Sequence, residues 1–321
     1  MHRRSFLAAT AALIGAPALS LTAKANDGPI RIVVGFAPGG STDALARLVA
    51  DIISKQTGRT AIVENKPGAG GRIAVDSVKS AAATGDTLLV CPQGPMTLFP
   101  HVFKDLRYKP DDFAPIARIG VSDLALCVGP AAPSKTVAEF QNWVRKHEDQ
   151  ATFGSAGNGT LIHFCGVAAT QRLGIQMTHV PYKGIAPAMV DLVGGNIAAG
   201  FSPVTEALEL HKTGRIRMLA TMGAQRSSFV PDVPTLRELG FDFELQTWQA
   251  LYGPAGMPAS AVAKLNTVID TELASPKGKE RLINMGVEPA PMTPQQIVTL
   301  RDKESELWAS VARSVNFKAN S

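Results

Sequence analysis

Three stretches of the 321-residue chain combine glycines with small polar side chains: "GFAPGGSTD" at 35–43, "ENKPGAGGR" at 64–72 and "GSAGNGT" at 154–160. Glycine lets the backbone turn sharply and come close to a ligand. Where such a loop opens a helix, unpaired N–H groups and a partial positive charge point outward, and the junction can hold an anion. The donors around these loops are the hydroxyls of Ser41, Thr42, Ser155, Thr160 and Tyr182 and the amides of Asn65, Gln93 and Asn158. Groups of this kind recognise a carboxylate without performing chemistry on it.

The catalytic alternatives find less support. A dinucleotide fingerprint needs three glycines at fixed spacing and an acid about 20 residues further on. Neither "GAGGRI" nor "GNGTLI" supplies the third glycine, and "APGGST" lacks the lysine of a phosphate-binding loop. Ser155 is no nucleophile elbow, because Phe153 stands where a glycine is required. His101, His147, His179 and His211 are scattered without helical pairing, so no metal site is expected. His163 follows Gly159 by one helical turn with no acid nearby in sequence, and reads as a structural or polar lining residue before a base. Asp43 either caps backbone donors at a helix start or acts as a base, with nothing else supporting the second role. Lys183 in "VPYKG" either neutralises an acidic ligand or is a solvated surface lysine. The sequence thus predicts a binding site with no catalytic set, no metal and no cofactor.

The elements that must position these loops alternate between strand and helix. Residues 30–34 read as a buried strand, and Leu45, Leu48, Val49, Ile52 and Ile53 form one apolar helical stripe that Gly58 ends. "AIVEN" and "TLLVCP" are further strands, each leading into a loop. The pattern returns in "LALCVGP", in a helix capped by Thr136 and Glu139, and in "ATFGSAGNGTLIHFCGVAATQRLG". Strands are also expected in "MTHVPYKG", "IAAGFSP" and "RMLATM". Helices begin near Ser260 and near Pro294, the second capped by Thr293 and Gln296. Such repetition predicts an α/β fold with mostly parallel sheets flanked by helices, whose ligands collect outside the carboxyl ends of the strands.

No Ser/Gly linker interrupts the chain, so two lobes must be joined by ordered segments, near 124–128 and 245–251. The expected division is lobe 1 at 26–123 plus 249–321 and an inserted lobe 2 at 124–248. Residues 1–25 are expected to be an export signal: a basic start, an apolar run, then Ala23-Lys24-Ala25, with Arg3-Arg4 suggesting the twin-arginine route. Cleavage there removes Arg3, Arg4 and Lys24 and no acid. The formal net charge then falls from +5 to +2, which removes the main support for a nucleic-acid or membrane-surface role. Beyond the signal no apolar run spans a bilayer, and a soluble, monomeric periplasmic protein is expected. Cys91, Cys127 and Cys165 lie far apart in apolar surroundings and read as plain buried residues.

Taken in order, "VVGFAPGGSTDALARLVA", "IVENKPGAGGR", "GSAGNGTLIHF", "VPYKG" and "WQALYGPAGMP" resemble the Bug, or tripartite tricarboxylate transporter, periplasmic substrate-binding proteins. The resemblance covers the whole mature chain. It implies a two-lobed clamp that closes on a carboxylate-bearing solute and passes it to membrane subunits. It also implies that "APGGSTD" and "NKPGAGG" grip the carboxylate while Ser155, Asn158, Thr160, His163 and Tyr182 close the cleft and choose the solute. The expected ligand-binding set is Phe36, Pro38, Gly39, Gly40, Ser41, Thr42 and Asp43 in the first loop, then Asn65, Gly68, Ala69, Gly70 and Gln93. Ser155, Gly157, Asn158, Gly159, Thr160, His163, Tyr182, Lys183 and Ser202 complete it.

Two departures from the family pattern matter. "TGDTLLV" replaces the frequent "PDGYTLL", and "NIAAGFSP" carries Ala199 where the family usually places an acid. If that acid selects amines, the expected solute is a carboxylate without an obligatory amine, such as a di- or tricarboxylate or an aromatic acid. A sensor using the same clamp and a periplasmic enzyme acting on the bound acid are the rival readings.

Overall fold

The computed structural model describes residues 28–314; the expected signal segment lies outside the described residues. The chain enters through β1 (Ile30–Val34), α1 (Ser41–Thr57), β2 (Ala61–Asn65), α2 (Arg72–Lys79) and β3 (Thr87–Pro92). β1 pairs in parallel with both β2 and β3, so the carboxyl ends of all three strands, and the loops that follow them, share one edge. The apolar stripe read from the sequence is the buried face of α1. Gly58 ends that helix in the left-handed conformation, its N–H donating to Ser54 O.

Two single turns, α3 (Gly94–Thr97) and α4 (Phe99–Val102), lead to β4 (Phe113–Val128). This 16-residue strand is the spine of the molecule. Its first part, up to Asp123, pairs antiparallel with β9 (Gln246–Pro254), which also pairs with β3. From Leu124 onward its partners are β7 (Ala199–Pro203) and β8 (Arg217–Thr221). Between them the chain makes α5 (Val137–Lys146), β5 (Thr152–Ser155), α6 (Leu161–Arg172), β6 (Thr178–Pro181), α7 (Ile185–Gly194) and α8 (Val204–Lys212). β5 pairs in parallel with β6 and β7. After β9 come α9 (Ala259–Ala274), α10 (Pro276–Asn284) and α11 (Pro294–Ser314). The described strands form one curled sheet, ordered β2-β1-β3-β9-β4-β7-β5-β6, with β8 on β4.

Burial follows the same division. On one face of the first half-sheet, Leu45, Leu48 and Ile52 of α1 meet Leu265 and Ile269 of α9 over Ile32, Val34 and Leu88. On the other, Val75 of α2, Phe99 of α4 and Trp308 of α11 cover Val33, Leu89 and Tyr252. A separate core around Leu126, Phe153, Phe201 and Leu219 serves the second half-sheet and takes in α5 to α8. The result is a two-lobed α/β clamp joined by two crossing segments. The three cysteines are buried and unpaired, and burial pushes the Cys127 thiol up to about 12, which keeps it an inert core group.

The expected helix caps are present. The Thr136 hydroxyl accepts from Glu139 N–H, while the Glu139 carboxylate reaches back to Lys135 N–H. Thr293 and Gln296 exchange backbone–side-chain bonds at the start of α11.

Candidate functional site

The first loop is held rigid from beneath. Asp43, buried in the first turn of α1, accepts from Gly39 N–H at 3.1 Å, from Arg47 at 2.9 and 3.1 Å and from Asn65 Nδ2 at 3.0 Å. The same Asn65 amide also donates to Phe36 O at 3.1 Å. Burial works to raise the Asp43 pKa, but these donors outweigh it and hold the carboxyl below its ordinary value. Asp43 and Asn65 are thus occupied in shaping the loop, and Pro38 and Gly39 lie exposed at its tip.

The second loop presses on the first. A Cβ at Gly35 would lie 2.6 Å from Gly71 Cα, a separation that only glycine tolerates. Gly70 has φ +66°, and a Cβ there would meet Thr160 Cγ2 at 3.3 Å and Asn158 O at 3.4 Å across the cleft. Arg72 donates to Ala69 O at 2.9 Å and lays its guanidinium 3.8 Å from the centre of the Phe103 ring.

The facing lobe contributes the β5–α6 and β6–α7 turns. Thr160 caps α6, accepting from His163 N–H, and its hydroxyl donates to Gly157 O at 2.8 Å. Gly159 N–H donates to His163 Nδ1 at 3.1 Å, which fixes that nitrogen as the acceptor. His163 stacks on His179 with ring centres 3.7 Å apart. Burial pushes His163 down to about 4, and burial together with His163 pushes His179 down to about 3, so both rings are neutral at neutral pH. Ser155 Oγ bonds His179 Nε2 at 2.6 Å and the Gly157 backbone at 3.2 Å. With Ser155 0% exposed, this contact buttresses the turn and offers no accessible nucleophile. Tyr182 donates to Asp191 at 2.6 Å; burial and that carboxylate push its phenol pKa up.

Among the described residues, two of the cavities between the lobes are bordered by these loops. The larger, about 240 Å³, is lined by Gly35, Phe36, Gly68, Ala69, Gly70, Gly71, Arg72 and Phe103 from one side. Ala156, Gly157, Asn158, Pro181, Tyr182 and Lys183 line it from the other. The smaller, about 40 Å³, has Phe36, Ala37, Gly40, Ser41, Thr42, Pro92, Thr247 and Gln249 facing Ala156, Ile162, Gly184, Ile185, Pro203 and Glu206. The lobes touch directly where Ala37 N–H donates to Lys183 O at 3.0 Å and Ser41 N–H to Glu206 Oε1 at 2.5 Å.

Of the residues expected at the site, Phe36, Gly68, Ala69, Gly70, Gly157, Asn158, Tyr182 and Lys183 meet around the larger cavity, and Gly40, Ser41 and Thr42 around the smaller. Gly159, Thr160 and His163 stand behind Gly157. Two lie elsewhere. Gln93 is buried with its amide spent on Gln246 O, Thr247 Oγ1 and Trp248 N–H, which clasps β3 to β9. Ser202 is buried in β7 and donates to Pro203 O. Arg72, Phe103, Glu206 and Gln249 line the cavities without having been expected. Arg72 directly follows the second glycine loop, which was signal enough. Glu206 sits in the first turn of a helix that the sequence reading did not separate from its neighbours.

The model of the tripartite tricarboxylate transporter family receptor, TctC, matches residues 45–317. The chain belongs to this family. Solved structures similar to this TctC-family receptor include the periplasmic binding protein BugD, with a TM-score of 0.86 and 31% identity over 90% of this chain and 98% of that one. MatC from Rhodopseudomonas palustris, solved with bound malate, has a TM-score of 0.83 and 31% identity, covering 88% of this chain and 98% of its own. A second R. palustris protein, Rpa4515, solved with adipate, has a TM-score of 0.86 and 30% identity, covering 90% and 97%. The TctC-family receptor thus shares its two-lobed fold with solute-binding proteins. Among its described residues no helix is long and apolar enough to cross a membrane, and no cluster of His, Cys, Asp and Glu could hold a metal ion.

Proposed function

We propose that the protein is an exported, periplasmic binding protein that captures a small organic carboxylate between its lobes and delivers it to the membrane subunits of a tripartite tricarboxylate-type transporter. The observation that carries this reading is the 240 Å³ cavity, walled on one side by the Gly68–Gly71 loop and Arg72 and on the other by Gly157, Asn158 and Lys183. Glycine-rich backbone and two cationic side chains suit an anionic group. Closing both lobes on one solute is how a clamp turns binding into a shape its partner can read. Malate in MatC and adipate in Rpa4515 are carboxylates held by similar chains. By the sequence reading, di- and tricarboxylates and aromatic acids are the first classes to test.

We take 26–123 plus 249–321 and 124–248 as the two lobes; the switch of β4 partners after Asp123 supports the first boundary, while β9 already pairs with the first lobe from Gln246. We also take residues 1–25 as a cleaved signal and the working unit as a monomer.

The test is thermal unfolding of residues 26–321 against a panel of carboxylates and amino acids, followed by recovery of the ligand. A ligand at a hundred times its Kd adds about 2.7 kcal/mol, a rise of several degrees at about 2–4 °C per kcal/mol. A rise confined to one carboxylate class, with that ligand recovered unchanged, is expected. No response to any carboxylate, or consumption of the ligand, overturns the proposal.

A further inference from the structure

The two cavities share Phe36 and Ala156 but are chemically opposite. Arg72 and Lys183 line the larger one. The smaller presents acceptors. Glu206 reaches from α8 across the cleft, and its Oε1 takes the Ser41 N–H at 2.5 Å, the donor at the start of α1 that the sequence reading assigned to a ligand carboxylate. Its hydrogen bonds are all with Ser41, and no lysine, arginine or histidine among the described residues forms an ion pair with it. This half-buried carboxylate faces neutral donors and the partial positive end of α1, with no full countercharge beside it. Beside it Gln249 is 7% exposed; its Nε2 donates to Thr42 Oγ1 at 3.0 Å, while its buried Oε1 has no hydrogen-bond partner.

We infer that Glu206 and Gln249 form a specificity seat that takes the ammonium group of the ligand and refuses a second carboxylate. The ligand is then a zwitterion, its carboxylate in the larger cavity against the glycine loops and its ammonium in the smaller. A space of about 40 Å³ holds one such group. Ligand nitrogen there supplies the donor that Gln249 Oε1 lacks and the positive charge that Glu206 lacks. A ligand carboxylate there meets the Glu206 carboxylate already seated on α1 and the unpartnered amide oxygen of Gln249. This inference rests on the carboxylate-binding reading above and departs from its expectation of di- and tricarboxylates. That expectation followed from Ala199, which is buried in β7.

The experiment is calorimetric titration of residues 26–321 with two matched linear series. One is the ω-amino acids from glycine to 6-aminohexanoate; the other is the dicarboxylates from oxalate to adipate. The same titrations are run on Glu206→Gln, which keeps an oxygen for Ser41 N–H, with its melting temperature as the check on folding. The best ω-amino acid is expected to bind at least tenfold tighter than the dicarboxylate of equal length. Glu206→Gln is expected to lose at least tenfold in affinity for the amino acid and little for the dicarboxylate. Dicarboxylates binding as tightly as zwitterions, or an unchanged preference in a folded Glu206→Gln, overturns the inference while leaving the carboxylate-binding reading intact. Binding of neither series, nor of any other carboxylate, overturns both.

Discussion

Replacing Gly70 and Gly39 separately by valine distinguishes a glycine needed for closure from one needed only for its own turn. Both have positive φ, +66° and +90°, so a β-branched side chain costs each fold about 1–2 kcal/mol. Their surroundings differ. A Cβ at Gly39 meets nothing within 4 Å, whereas one at Gly70 lies 3.3 Å from Thr160 Cγ2 and 3.4 Å from Asn158 O on the opposite lobe. The branches of valine would extend further into that gap. Overpacking of this kind costs about 1–3 kcal/mol, and here it falls on the closed arrangement. At 1.4 kcal/mol per tenfold, Gly70→Val should weaken ligand binding about 5- to 150-fold, and Gly39→Val less than about threefold. Urea unfolding measures the stability loss and calorimetry the affinity, using the ligand found in the thermal panel. Equal affinity losses in the two variants, or normal binding by Gly70→Val, would refute the placement of Gly70 at the closing surface.

Gln93→Ala strands Trp248 N–H and Gln246 O in the interior; it should cost about 2–4 kcal/mol of stability in urea while the folded variant keeps the wild-type Kd. Glu304 accepts from Trp248 Nε1 at 2.8 Å, and burial, opposed by that bond and by Arg118 and Lys303, raises its carboxyl from 4.5 to about 7. A raised acid stabilises the fold below its unfolded value and loses that contribution as pH rises through about 7. The wild type should therefore lose up to about 3 kcal/mol between pH 4 and pH 8, and Glu304→Gln should show a flatter profile in urea midpoints across that range.

What the sequence disclosed depended on the range of the interaction. β1, β2 and β3 could be read to the residue because each is a short apolar run closed by turn residues, and the caps at Thr136 and Thr293 are local four-residue patterns. The first half of β4 escaped, since "FAPIARIGVSD" is broken by a proline and three polar residues that only its pairing with β9 makes extended. At the site, the glycine loops were legible because they are consecutive residues with a backbone job. The side chains that give the smaller cavity its sign were not. Glu206 and Ser41 stand 165 positions apart, and nothing in either neighbourhood announces the other. Gln93 shows the converse: an amide after a strand reads as a ligand donor until β9 arrives to claim it.

β4 also bears on how the protein can be taken apart. One uninterrupted strand supplies pairing to both half-sheets, and β9 re-enters the first only after the second is complete. Cutting the chain between Asp123 and Leu124 would leave the first piece without β9, which lies between β3 and β4 in the sheet, and would leave β9 in the second piece without either neighbour. The first lobe is therefore not one continuous stretch of chain: it is completed only when β9 returns, even though each lobe has its own core. Recombination between family members should succeed only when crossovers preserve β4 and β9 as a matched pair, and denaturation should proceed in a single step.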